Sequence, residues 1–161
     1  MTRKLTLTSI LVALNVVLGM IVTIPLGAIR AAPVQHLINV LGAVLTGPWV
    51  VLQAFVSSTI RILMGTGTPF AYPGSMAGAL LAWLMYRQFK KLHYAALGEV
   101  AGTGIIGALM TYPLILVIGL EGDFFFVLAP AFIVSSLLGA VLSWFILTQL
   151  EKRNVLHKMQ D

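Results

Sequence analysis

Residues 5–24 read LTLTSILVALNVVLGMIVTI, twenty residues without a charge, preceded by Arg3-Lys4 and followed by Pro25, Gly27 and Arg30. An α-helix needs roughly 20 apolar residues to cross the ~30 Å hydrocarbon core of a bilayer, so this stretch is long enough to span it. The apolar core of a signal peptide runs only about 7–15 residues, and Pro25 to Ala32 offers no convincing small-x-small cleavage site. The stretch is therefore read as a retained membrane helix.

Further apolar segments follow. Pro33 to Leu45 and Pro48 to about Met64 each open on a proline suited to a first helical turn and are separated by Thr46-Gly47. At 13 and 17 residues both are short for a crossing, which predicts tilt or partial burial. Pro73 to Tyr86, Tyr94 to Ile118 and Phe125 to Leu150 supply the fourth, fifth and sixth spans. The expected fold is an all-α integral membrane bundle of six transmembrane helices, a single domain over 1–150 with a solvated cytoplasmic tail at 151–161. No internal repeat or low-complexity stretch is visible.

Composition agrees. Of 161 residues 59% are hydrophobic and 9% charged, and mean hydropathy is +0.99. Soluble domains carry roughly 25% charged residues, so a soluble enzyme and a nucleic-acid-binding domain are both excluded. With no cysteine, disulfides, thiolate metal sites and cysteine nucleophiles are excluded too. The net charge of +5 reports topology. In a six-span chain one side holds Arg3, Lys4, Arg87, Lys90, Lys91, Lys152, Arg153 and Lys158, and the other only Arg30 and Arg61. Cytoplasmic loops are rich in Lys and Arg, which puts both termini in the cytoplasm. Trp49, Trp83, Tyr86, Tyr94 and Trp144 fall near the same ends, where amphipathic rings prefer the headgroup level.

Gly102-Thr103-Gly104-Ile105-Ile106-Gly107 matches the GxGxxG dinucleotide fingerprint but lies inside an apolar stretch, where that chemistry has no preceding strand. Close helix packing explains it together with Gly98, and Gly74, Gly78 and Ala82 form a similar small stripe on the fourth span. GxxxxGK[ST], HExxH and GxSxG are absent from the sequence, so no ATP site, cofactor or recognised hydrolase constellation is expected, and no metal site. The energy for any transport must come from a gradient or a partner.

Polar groups inside membrane segments are costly and mark functional sites. Most strong ones fall toward the outer side: Gln35, His36 and Asn39 at the start of span two, Arg61 in the outer turn of span three, and Gly65-Thr66-Gly67-Thr68-Pro69-Phe70-Ala71-Tyr72-Pro73-Gly74-Ser75 after it. Tyr112 and the loop with Glu121, Asp123 and Phe124 to Phe126 lie on that side as well. Together they suggest an outward pocket of hydrogen-bonding groups and aromatic walls for a small heteroaromatic ligand. Arg30 and Arg61 could instead snorkel to phosphates or pair with Glu121 and Asp123, which themselves read as solvated loop charges. Asn15 and Gln53 read as interhelical hydrogen bonds, and Glu99 as a partner of Lys90 or Lys91.

The run Pro33-Val34-Gln35-His36-Leu37-Ile38-Asn39-Val40, then Gly47-Pro48-Trp49, Arg61 and Gly65-Thr66-Gly67-Thr68, in a six-helix chain of this size, resembles the S components of energy-coupling factor transporters, and most closely the ThiW group. The resemblance implies import of a thiamine precursor, hydroxyethylthiazole, across the bacterial cytoplasmic membrane. It also implies docking on a membrane coupling (T) subunit with two cytoplasmic ATPase subunits, and toppling in the bilayer to release substrate. Family members carry an alanine-x-x-x-alanine docking motif on the first helix; here Ser9 and Ala13 stand at those positions. The substrate-binding residues expected are Gln35, His36, Asn39, Arg61, Thr66, Thr68, Tyr72, Ser75 and Tyr112, with the thiazole stacking on Phe70 or Tyr72. A neutral thiazole does not need Arg61; contact with it would imply a phosphorylated or otherwise anionic one.

A stand-alone secondary transporter or channel is the alternative, but it would need a coupling-ion or proton relay near the midplane, where the sequence reading places only the uncharged Asn15 and Gln53. A membrane enzyme would need paired carboxylates or a nucleophile with a base, and the close acidic pair, Glu121 and Asp123, sits in a loop. A purely structural membrane protein leaves the polar cluster unexplained.

Overall fold

The computed structural model describes residues 2–26 and 29–156. Its elements are α1 (Thr2–Ile21), β1 (Ile24–Leu26), β2 (Ile29–Ala31), α2 (Pro33–Leu45), α3 (Trp49–Leu63), α4 (Ala71–Phe89), α5 (Leu92–Ala101), a π-helical stretch (Gly102–Gly107), α6 (Ala108–Val117) and α7 (Phe124–Lys152). Because α5, the π stretch and α6 form one continuous helix over Leu92–Val117, the described residues make six long helical segments, the number expected, and three of them, Thr2–Ile21, Leu92–Val117 and Phe124–Lys152, are long and apolar enough to cross a membrane. Lys4, Leu45, Arg87, Lys90, Glu151 and Leu156 line one groove, so the first and last helices share an end of the bundle with most of the basic residues.

Two local features depart from the expected spans. α1 ends at Ile21 rather than Ile24, because Ile24 precedes Pro25 and a residue before proline is pushed into extended backbone. That conformation is used: β1 and β2 form an antiparallel hairpin with Ile24 opposite Ala31. The fifth span carries its π stretch over the very GxGxxG residues.

The short second span settles how a 13-residue helix lives in a bilayer. α2 is about 20 Å long, and eleven of its residues, among them Gln35, His36 and Asn39, are buried. It packs against α1, α3, α4, α5 and α7. Enclosed by protein on all sides, it need not match the hydrocarbon thickness. Val40, Val44 and Leu45 meet Leu92, Ala95, Ala140, Leu147 and Leu156 in the largest apolar cluster. Leu156 therefore anchors part of the segment expected to be a solvated tail; residues 157–161 lie outside those described. Gly47, at φ +67°, makes the left-handed turn that brings α3 back beside α2.

The outer helices show the opposite pattern. Leu63 and Val117 are each 82% exposed, and Ile10, Leu14, Val17, Leu138, Val141 and Phe145 are open along α1 and α7. So much apolar surface fits a lipid solvent and no aqueous one. Asn15 reaches from α1 to the Ser57 hydroxyl on α3 at 2.9 Å, and Gln53 from α3 to the Ile38 carbonyl on α2 at 3.2 Å, so both make interhelical bonds as expected.

The glycines of α4 and of the fifth span meet face to face. A Cβ at Gly102 would lie 2.6 Å from the Gly78 Cα, and one at Gly107 2.6 Å from the Gly74 Cα. The fingerprint-like motif is thus a packing seam. Gly107→Val should lower the detergent melting temperature markedly, an overpacking cost of about 1–3 kcal/mol. Gly122→Ala, whose new methyl would stand 3.5 Å from the Tyr112 hydroxyl, should leave it unchanged; equal melting of the two variants would contradict the seam.

Candidate functional site

At the end of the bundle opposite the termini, a cavity of about 480 Å³ lies between the spans. α1 and the hairpin contribute Gly19, Met20, Thr23 and Ala31, and α2 contributes Gln35 and His36. Arg61 and the loop Gly65 to Thr68 form another wall. α7 adds Leu128, Ala131, Phe132 and Ser135, whose i, i+3, i+4, i+7 spacing puts them on one helix face. Thr103 enters from the π stretch.

The deep end is built on a buried histidine–carboxyl pair. His36 Nδ1 lies 2.8 Å from Glu99 Oε1. The Asn39 amide donates to the same oxygen at 3.1 Å and to the Ser75 carbonyl at 3.1 Å, and the Thr103 hydroxyl donates to Glu99 at 3.0 Å. Glu99 and Asn39 are fully buried. Nδ1 is thus taken up by the carboxyl group, and Nε2 is the ring atom left for a ligand. Glu99 Oε2 has no partner among the described residues.

This corrects the pairing expected for Glu99 with Lys90 or Lys91. Glu99 lies seven residues beyond Leu92, about 10 Å into the bundle, and His36 lies nine residues before Leu45, about 13 Å from the same end. The two are level near mid-depth, because the short buried α2 starts well below the outer surface. His36 is therefore a central residue rather than an outer one.

Toward the loops, Arg61 is 4% exposed. It donates from Nη1 to Gln35 Oε1 at 2.6 Å and from Nη2 to the Thr66 carbonyl at 3.5 Å, while Nε has no partner. Glu121 and Asp123 are exposed, and the ion pair found among the described residues is His36–Glu99, so the expected pairing of Arg61 with those two acids is not formed. The Arg30 side chain lies outside what is described.

Of the residues expected to bind substrate, Gln35, His36, Arg61, Thr66 and Thr68 line the cavity. Asn39 and Ser75 sit behind it, bonded to each other. Tyr72 and Tyr112 are elsewhere: the Tyr72 hydroxyl donates to Thr59 at 3.0 Å and its ring packs 5.7 Å from Phe55. Tyr112 is 46% exposed and meets Phe125 edge-on. Phe70 is buried with Ile115 and Leu128. Among the described residues the phenyl ring in the cavity lining is Phe132, whereas Phe70 and Tyr72, expected to stack on the thiazole, do not line it. Sequence reasoning missed Glu99, Thr103, Phe132 and Ser135. Two signals were available: a lone acid inside an apolar span, which is functional by default, and the α7 face with its single ring.

A bundle of apolar helices with a cavity of this size at one end is the architecture of a membrane protein with room for a small molecule. A solved structure described as "Structure and mechanism of the S component of a bacterial ECF transporter" shares the fold, with a TM-score of 0.73 at 17% identity over 94% of this chain and 96% of that one. The family of thiamine-precursor transporter proteins (ThiW) matches residues 5–153, and the chain belongs to that family. The comparison with curated proteins gives no match. The family is one of transporters, not an enzyme class, and the chain is a multi-pass membrane protein.

Removing one member of a buried pair strands the other, at about 3–5 kcal/mol. Glu99→Ala should accordingly lower the melting temperature steeply, and Glu99→Gln, which still accepts from His36 and Asn39, should lower it less; thermal unfolding in detergent checks the order.

Proposed function

We propose that this chain is the substrate-binding subunit of an ATP-driven energy-coupling factor importer and that it captures the thiamine precursor hydroxyethylthiazole in the cavity bounded by His36, Arg61 and Phe132. The observation that carries the reading is a cavity with one aromatic wall and a histidine held by a carboxylate at its deep end, in a chain of this family. The thiazole ring packs against Phe132. The ring nitrogen or the hydroxyl bonds His36 Nε2, and Ser135 and Thr68 serve the other end. Asn39 and Ser75 act through Glu99, fixing the imidazole.

In this reading both termini face the cytoplasm of a bacterial cell and the cavity faces out. The loop 65–72 closes over the ligand. The chain then docks on a membrane coupling subunit, two cytoplasmic ATPases supply the energy, and reorientation releases substrate inside. Ser9 and Ala13 are exposed on α1, where small side chains permit close approach of a partner helix.

Saturable binding of radiolabelled hydroxyethylthiazole to the purified protein is the direct test; its absence, with tight binding of another vitamin precursor, would overturn the substrate. Loss of the His36 bond should weaken binding about tenfold in His36→Ala, and Tyr112→Ala should leave it unchanged. Leu at both Ser9 and Ala13 should spare binding and abolish uptake in a reconstituted complete transporter. Should that double substitution spare uptake as well, the docking face lies elsewhere.

One observation favours a second reading. A proton-coupled secondary transporter needs titratable groups near the midplane, and His36 with Glu99 provides them. Uptake by the purified chain alone in liposomes under a proton gradient would favour it over the importer.

A further inference from the structure

We infer that the ligand of this cavity carries an oxyanion, a carboxylate or a phosphate, and that Arg61 is its counter-ion. The inference rests on the thiazole reading and refines its substrate, in the same cavity, from the neutral alcohol to an anionic thiazole. It stands on the partners of Arg61 and on the unspent hydrogen-bonding groups around the cavity.

Among the described side chains, three ionisable ones line the cavity or touch its lining: His36, Glu99 and Arg61. His36 Nδ1 and Glu99 Oε1 are taken up with each other at 2.8 Å. Arg61 bonds only neutral oxygens, at Gln35 and Thr66. Of the other described acids, Glu121 and Asp123 are exposed in the loop before α7, and Glu151 lines the groove at the opposite end. A buried cation inside a membrane bundle is costly when nothing balances it. No carboxylate among the described residues bonds Arg61, and the cavity beside it is where an anionic partner has room.

The unspent groups point the same way. Arg61 Nε and Ser135 Oγ are buried without a partner. The Gln35 amide nitrogen and the Thr68 hydroxyl line the cavity and donate to no acceptor among the described residues. By contrast, the Thr66 hydroxyl is used on the Arg61 carbonyl. Gln35, bonded to Arg61, and Thr68, in the loop after it, put further donors at that end of the cavity while Ser135 lines another wall, and an oxyanion is the group that accepts several at once. The guanidinium is also held in place. A Cβ at Gly19 would stand 3.3 Å from Nε, and one at Gly67 3.3 Å from the Arg61 Cβ, so the side chain fills a slot between α1 and the loop. A fixed planar donor suits carboxylate or phosphate better than a mobile point charge. The ligand so defined is two-ended, with a heteroaromatic ring between Phe132 and His36 and an anion at Arg61.

The test is competition against radiolabelled hydroxyethylthiazole on the purified full-length protein, using its phosphate ester, a methylthiazole carboxylate and inorganic phosphate. At least one anionic thiazole should compete at about tenfold lower concentration than the neutral alcohol, and the stronger of the two identifies the anion. Arg61→Gln should abolish that preference, and Arg61→Lys, which keeps the charge, should retain part of it and guards against a folding artefact. Neutral thiazole binding as tightly as both anions, or a preference that survives Arg61→Gln, overturns the inference. If no thiazole binds, the thiazole reading fails separately. The oxyanion is then decided by thermal shift with small aromatic carboxylates and phosphate esters: stabilisation of the wild type but not of Arg61→Gln supports it, and no stabilisation overturns it.

Discussion

A 13-residue helix, about 20 Å long, cannot reach across a ~30 Å hydrocarbon layer, and the architecture follows from that shortfall. α2 is enclosed by α1, α3, α4, α5 and α7, and its polar side chains Gln35, His36 and Asn39 each bond a protein partner. The missing length appears at one end only. At Leu45 the helix meets the largest apolar cluster, whereas above Pro33 the hairpin, the loop after α3 and the start of α7 close around open space. The cavity is the volume that a full-length helix would have filled.

The same constraint sets the chemistry of the floor. Because α2 begins deep, its second turn carries His36 to the level of Glu99, and Asn39 reaches both Glu99 and the Ser75 carbonyl. α2 and the fifth span are tied at one carboxylate oxygen by donors from His36, Asn39 and Thr103, and the Asn39 amide adds α4 through the Ser75 carbonyl. A buried pair of this kind contributes little net stability against an apolar alternative, but it is expensive to break once built. Its use here is to define the face that the imidazole turns to the cavity.

Much of the fold was legible because the bilayer sets a length scale that apolar runs reveal directly. The spans of α1, α4 and α7 differ from the sequence reading by a few residues, and the small-residue stripes of α4 and the fifth span proved to be a single seam. The site was legible only in part. Gln35, His36, Arg61, Thr66 and Thr68 share a cavity because they cluster along 33–75, where proximity in sequence is proximity in space. Glu99, Thr103, Phe132 and Ser135 come from helices whose rotation and depth no local pattern encodes. Tyr72 and Tyr112 are correctly placed in depth yet point away, since a side chain's azimuth depends on packing partners. Glu99 was assigned to nearby lysines because its depth was judged without knowing how far α2 is sunk.

The π stretch at Gly102–Gly107 makes the fifth span two helices in register with different neighbours. Such a stretch accommodates residues beyond what a regular α-helix of that length would hold, so it acts as a phase adjuster. Glu99 and Thr103 keep their bearing on the histidine, while the half beyond the stretch takes its bearing from Ile115, packed with Phe70 and Leu128. The half that carries Glu99 and the half that carries Ile115 are thereby free to diverge separately, and a change of aromatic packing near Ile115 need not retune the carboxylate.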